Sequence, residues 1–183
     1  MKILVLNGSP RLDGNTRTAL NAITKGINES CTEALIEIYD ISEHKLSCCI
    51  NCDGCKSNGG NCVLPDETAD IINKMYEADG IIFGSPVYWW GVSAQLKMVI
   101  DKMYSKGEQF KKQQKKIGLV TVGGDELSAS QYRMISEQME CICEYLGWDL
   151  IFSYPISAYE KNDLLNNRDE LIKLNDLWGK SIV

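Results

Sequence analysis

The feature that most constrains this chain is a fivefold alternation of two apolar patterns. Short runs of consecutive apolar residues trade places with segments whose apolar residues recur every three or four positions. The strand-like runs span 2–7, 33–40, 80–85, 117–122 and 149–154. Ile3 to Leu6, Ile81 to Phe83, and the set Ile117, Leu119, Val120 and Val122 are apolar on successive residues, as parallel strands covered on both faces require. The second run places Glu37 between Ile36 and Ile38 and suits an edge. Helical spacing links Leu20, Ile23 and Ile27, then Ile71, Met75 and Ala78, then Leu96, Val99, Ile100 and Met103. It returns in Ile135, Met139, Ile142 and Leu146 and in Leu171, Leu174 and Trp178, with Gly147 and Gly179 where helix C-caps are expected. This alternation predicts an α/β fold, a doubly wound, five-stranded parallel sheet in a single domain over 1–183, and the strand order expected of it here is 2-1-3-4-5.

Composition excludes several classes of function. A chain of 183 residues, 44% apolar and 24% charged, is neither disordered nor fibrous. With 19 Lys and Arg against 25 Asp and Glu, the net charge is -6, which argues against a nucleic acid or an anionic membrane as main partner. The single histidine, His44, removes every site that needs two imidazoles. The apolar run Ile3 to Leu6 is too short for a secretory signal, and no segment has the length of a membrane span, so a cytoplasmic location is expected. In that setting eight cysteines point towards metal or redox chemistry rather than disulfides.

Two loops carry the candidate chemistry. After the first strand come Gly8, Ser9, Pro10, Arg11, Leu12, Asp13, Gly14, Asn15 and Thr16, then a helix. A strand–loop–helix junction offers unpaired N–H groups at the positive end of a helix dipole. Ser9, Asn15 and Thr16 add short hydrogen-bonding side chains and Arg11 a cation, so the expected ligand is a phosphate monoester. A plain N-cap at Asn15 or Thr16 would account for only two of these residues. The loop is neither a Walker A nor a Gly-x-Gly-x-x-Gly motif. After the third strand come Pro86, Val87, Tyr88, Trp89, Trp90 and Gly91, a glycine-flanked aromatic run. In a 2-1-3-4-5 sheet the loops after strands one and three flank the switch point, so both should face one crevice. Thr121, Gly123 and Gly124 would bring backbone N–H groups to the same sheet edge.

Gly8-Ser9-Pro10-Arg11 with Gly14-Asn15-Thr16, Pro86-Val87-Tyr88-Trp89 with Ser93-Ala94, Leu96-Lys97 and Asp101, and the Gly123-Gly124 loop together resemble one family. It is the NAD(P)H-dependent FMN reductase and iron–sulfur flavoprotein branch of the flavodoxin-like superfamily. The resemblance implies FMN with its phosphate on Ser9, Arg11, Asn15 and Thr16, and its isoalloxazine held by Pro86 to Gly91 and the Gly123 loop. NAD(P)H would be the co-substrate, a small molecule or protein the electron acceptor, and the assembly a homodimer or homotetramer. No side chain need act as acid or base. Where relatives often carry Asp-Arg, this chain has Asp101-Lys102.

Residues 41–65 form a connection with little periodicity that holds five of the eight cysteines. Cys49, Cys52, Cys55 and Cys62 are spaced by two, two and six residues, and thiolates so placed can converge on one soft metal centre. Three readings stand open: a [4Fe–4S] cluster, metal-free thiols, and zinc. The first would make the protein an iron–sulfur flavoprotein that carries electrons between protein partners. A third function, an interaction domain without flavin, would use the anion loop otherwise. The lysines at 111, 112, 115 and 116 read as a solvated loop, and His44 as exposed.

Overall fold

A computed structural model describes residues 1–181. Five parallel strands form one sheet: β1 (Lys2–Asn7), β2 (Leu35–Asp40), β3 (Gly80–Pro86), β4 (Lys116–Gly123) and β5 (Asp149–Ser157). Their order is β2-β1-β3-β4-β5, the expected one. The helices are α1 (Asn15–Ser30), α2 (Thr68–Glu77), α3 (Ala94–Lys102), the single turn α4 (Gly107–Phe110), α5 (Ser130–Leu146) and α6 (Arg168–Ser181). No helix among the described residues is long and apolar enough to cross a membrane.

Period-two side-chain direction divides the core. Leu4, Leu6, Ile81, Phe83, Ile117 and Leu119 pack beneath α2, α3 and α5, while Ile3, Val5, Ile82, Val120 and Val122 pack beneath α1 and α6. Strands covered on both sides must be apolar throughout, which is why their sequence is continuous rather than alternating.

Several boundaries differ from the pattern. The second strand begins at Leu35, two residues late, after a turn in which Ala34 N–H donates to Cys31 O at 3.0 Å. β5 runs three residues further, to Ser157, because its carboxyl end keeps pairing with Val122 and Gly123. Pro155 is tolerated there because β5 is an edge. Gly147 is a left-handed C-cap with φ of 72°, but Gly179 lies inside α6. Lys115 is not solvated: its ammonium donates to Tyr76 O at 3.0 Å and to Ala78 O, closing the carboxyl end of α2. Burial pushes that ammonium down to about 8, against the opposing pull of Asp79. His44 stacks on Tyr39 with ring centres 3.9 Å apart and bonds Glu67 at 2.9 Å.

Gly26 shows how closely α1 and α6 approach. A Cβ at this position would fall 1.7 Å from the Asn175 carbonyl oxygen. Gly26→Ala should therefore cost a net ~1–3 kcal/mol through overpacking despite alanine's better helix propensity. That loss lowers Tm by about 2–4 °C per kcal/mol for a domain of this size. Chemical or thermal denaturation checks it, and an unchanged or raised Tm contradicts the packing described.

Candidate functional site

The carboxyl ends of β1, β3, β4 and β5 meet at one crevice. Ser9, Arg11, Gly14, Asn15, Thr16, Pro86, Val87, Tyr88, Gly123 and Gly124 line it, together with Val122, Ala158, Tyr159 and Lys161. The cleft is an open concavity at the carboxyl edge of the sheet, a usual position for a small-molecule site in this architecture. Two loops 70 or more residues apart in sequence thus share one cavity, with Asn15 and Tyr88 both among its lining residues.

Ser93 joins them. Its hydroxyl donates to Gly8 O at 2.6 Å and accepts the Leu96 N–H at 3.2 Å, so one side chain caps α3 and anchors the first loop. Gly8 N–H donates to Gly84 O at 2.8 Å, and Ser93 N–H to the Ser85 hydroxyl at 2.9 Å. The buried Asn7 amide accepts the Ser9 N–H at 3.1 Å and donates to Asp40 at 2.8 Å. Asp40 also takes the Arg17 guanidinium.

The amino end of α1 opens onto the cleft. Gly14 is its N-cap and no side chain caps it, so the plain capping role for Asn15 or Thr16 is replaced by free helix-terminal N–H groups. Asn15 is used otherwise than expected. Its amide donates to Glu160 O at 2.8 Å and accepts the Leu164 N–H at 3.3 Å, which fastens the segment after β5 to the first loop. Lys161 pairs with Asp13 at 2.5 Å across the same junction, and the bond from Lys161 holds the Asp13 carboxyl below its ordinary value.

Four residues expected at the site lie outside the cleft lining: Trp89, Trp90, Gly91 and Thr121. Tyr88 and Gly91 exchange N–H···O bonds at 2.9 and 3.1 Å, closing a two-residue turn. Trp89 and Trp90 sit at its tip with φ of 47° and 60°, the signs of a type I′ turn, and Trp89 is 91% exposed. Successive residues in such a turn cannot all face one cavity. Thr121 is buried within β4, where the pleat directs it away. From sequence Tyr159, near the last strand, is open to a place in the pocket or in the core, and Lys161 is not singled out, because nothing in their local pattern announces that the segment after β5 folds back onto the first loop.

The cysteine connection packs at the carboxyl end of α3. Cys49, Cys52, Cys55 and Cys62 line a single cleft with Leu64, Lys102 and Tyr104. Among the described residues, however, no three His, Cys, Asp or Glu side chains are grouped closely enough to hold a metal ion. The spacing brings the thiols to one cavity without assembling them as ligands. Asn51 and Asp53 have φ of 53° and 54°, and Gly59 and Gly60 turn the chain back. Lys102 holds the base of the loop from α3: its ammonium donates to Asp66 at 2.7 Å, Thr68 at 2.6 Å and Ser47 at 3.4 Å. Three acceptors in three directions suit an ammonium and not a planar guanidinium. The side chains of Lys102 and Asp66 are 2% and 5% exposed. Burial pushes the Asp66 carboxyl up, yet hydrogen bonds from Lys102, Ser47 and Thr68 outweigh it and hold the group well below the usual carboxylate range.

Comparison with known proteins follows the same lines. The sequence pattern of a family described as NADPH-dependent FMN reductase matches residues 1–143. An iron–sulfur flavoprotein of Methanocaldococcus jannaschii is 43% identical over 127 residues, 67% of this chain and 62% of that protein, so the chain spans less than two thirds of this relative's length. A Bacillus subtilis protein with the provisional name NAD(P)H-dependent FMN-containing oxidoreductase is 28% identical over 99% of this chain and 98% of its own. The crystal structure of an FMN-dependent NADH-azoreductase from Bacillus anthracis in complex with FMN superposes with a TM-score of 0.69 at 11% identity, over 98% of this chain and 99% of that one, a likeness of fold.

Two substitutions test the scaffold of the site. Ser93→Ala removes a cap worth about 1 kcal/mol and strips the Gly8 carbonyl of a buried donor at a further ~1–3 kcal/mol. Asp66→Asn leaves the Lys102 ammonium buried without its counter-charge, a loss of about 3–5 kcal/mol at neutral pH. Because the folded carboxyl titrates below the unfolded one, its stabilisation is complete above about pH 4 and is lost as the pH falls further. Denaturant titrations from pH 7 down to pH 3 should show this acid loss in the native chain and a shallower one in Asp66→Asn. Equal slopes contradict the role given to Asp66.

Proposed function

Because the chain belongs to the NADPH-dependent FMN reductase family, we propose that it binds FMN in the cleft between its first, third and fourth strand ends. There it passes reducing equivalents from NAD(P)H to an acceptor. The observation that carries this reading is that the uncapped amino end of α1 and the Tyr88 and Gly123-Gly124 segments line the same cavity. That donor set fits a mononucleotide, with N–H groups at one end for a phosphoryl group and apolar and backbone surface at the other for a planar ring.

The chemistry supplied by bound FMN is two-electron uptake from a nicotinamide and release of those electrons singly or in pairs. The protein binds, orients and tunes. The N–H groups at the start of α1 and the exposed Arg11 guanidinium hold the phosphate, and Ser9, itself buried, shapes the loop by accepting the Arg11 N–H at 3.1 Å. Backbone N–H groups of Gly123 and Gly124, which line the cleft, would stabilise negative charge on a reduced ring. No carboxylate, imidazole or thiol lines the cleft among the described residues; the side chains there that can carry a proton are Tyr88, Tyr159 and Lys161. The acceptor is a small molecule or a protein. The exposed Trp89 and Tyr145 rings support assembly with further copies as a homodimer or homotetramer.

A second reading is favoured by the four cysteines at one cleft and by the name of the relative from Methanocaldococcus jannaschii. In it Cys49, Cys52, Cys55 and Cys62 hold a [4Fe–4S] cluster and the protein relays electrons between partners. Iron and acid-labile sulfide in anaerobically prepared protein, about four of each per chain, support this reading. Absence of both leaves the loop as bracing.

Purified protein should take up FMN one to one, turn yellow and oxidise NAD(P)H when an acceptor is added. Arg11→Ala should weaken FMN binding about tenfold through loss of a charge-assisted contact, with stability unchanged. Protein that stays colourless after FMN is added and shows no heat of binding sinks the proposal.

A further inference from the structure

The segment after β5 carries a feature that the FMN reading does not use. Ala158 N–H donates to Gly123 O at 2.8 Å, and the chain then leaves the sheet with Ala158, Tyr159 and Lys161 lining the cleft. Its backbone is held tightly. The Asp163 carboxylate accepts the Tyr159 N–H at 2.9 Å and the Glu160 N–H at 2.7 Å. Asn15 grips Glu160 and Leu164, Lys161 pairs with Asp13, and Leu164 is buried in the core beneath α1 and α6. On this braced backbone sits Tyr159, whose side chain is left 79% exposed although it lines the cleft.

The ring rests on a shelf made for it. A Cβ at Gly124 would fall 2.7 Å from Tyr159 Cδ2, so only glycine lets the ring lie against the end of β4. Tyr88 lines the same cleft from the loop after β3, on the other side of β4 in the sheet order, and is 44% exposed. Two tyrosines therefore flank one cavity, both with ring surface uncovered. Aromatic rings favour offset stacking on flat π systems, and holding one rigidly in place beforehand reduces the ordering cost of binding.

We propose that Tyr159 binds the flavin: its ring is the second aromatic wall of the cleft, taking the isoalloxazine against its face from the side away from Tyr88. The proposal rests on the FMN reading above. It also gives Asn15 a positioning role, because its amide links the loop that receives the phosphoryl group to the segment that presents Tyr159. One cofactor then touches both ends of a single hydrogen-bonded unit.

The test is the dissociation constant of FMN, read by titration of flavin fluorescence, for the native chain and for Tyr159→Ala, Tyr159→Leu and Tyr159→Phe. Loss of a stacking ring predicts a Kd about tenfold higher in Tyr159→Ala. It should rise at least about fivefold in Tyr159→Leu, which keeps the bulk without the π face, and stay within about twofold of native in Tyr159→Phe. Melting temperatures should be unchanged, since the side chain is exposed. Native affinity in Tyr159→Ala overturns the proposal and leaves the FMN reading intact. Equal weakening in Tyr159→Phe overturns it too, because the hydroxyl and not the ring would then be the contact. A native chain that binds no FMN overturns the FMN reading, and this inference with it.

Discussion

The site depends on one serine hydroxyl placed where two loops cross. Ser93 starts α3 by capping it and, with the same oxygen, donates to the Gly8 carbonyl across the sheet edge. A hydroxyl is the smallest group that can accept from one backbone and donate to another, so it sets the distance between the first loop and the aromatic loop. Gly8, bonded to Gly84 as well, then begins a turn that is closed by its own bonds, Ser9 N–H to Asn7 and Arg11 N–H to the Ser9 hydroxyl, and that leads to the uncapped start of α1. The apolar sheet beneath holds these ends rigid, and irregular backbone is confined to the rim, where function requires it.

A second anchoring device serves the cysteine connection. A segment of this length with left-handed residues at Asn51 and Asp53 would be poorly ordered alone. Lys102 reaches out of α3 and unites Ser47, Asp66 and Thr68, the two ends of the connection, at one buried ammonium. Further out, Lys56 lies 3.6 Å from the centre of the Tyr104 ring, and the Tyr104 hydroxyl donates to Asp53 at 2.8 Å. The same short helix thus anchors the first loop through Ser93 at its amino end and the cysteine connection through Lys102 at its carboxyl end. Both cavities are registered to a common rigid body.

Much of this was legible in the sequence because it rests on local signals. Continuous apolar runs fix buried parallel strands, and glycine with short polar residues after a strand marks an anion loop, so the five parallel strands and the Ser9–Thr16 wall of the cleft could be read directly. What could not be read depends on long-range placement. Asn15 looks like a ligand or a cap from its neighbours, yet its amide is taken by Glu160 and Leu164, some 145 residues away. Trp89 and Trp90 have the chemistry of a flavin support, but a turn with positive φ at both carries them outside the lining. Lys115 sits in a basic run that reads as solvated and instead closes α2. The cysteine spacing shows that four thiols can converge, and they do share a cavity, but spacing does not set the distances between sulfur atoms.

The central claim is that a phosphoryl group at the start of α1 and a planar ring between the ends of β3 and β5 belong to one bound mononucleotide. A crystal structure of the protein grown with FMN tests this most directly. The account predicts phosphate oxygens about 2.7–3.2 Å from the first N–H groups of α1, with the isoalloxazine between Tyr88 and Tyr159 over Gly123 and Gly124. FMN seated elsewhere, or with its phosphate turned away from α1, would contradict it.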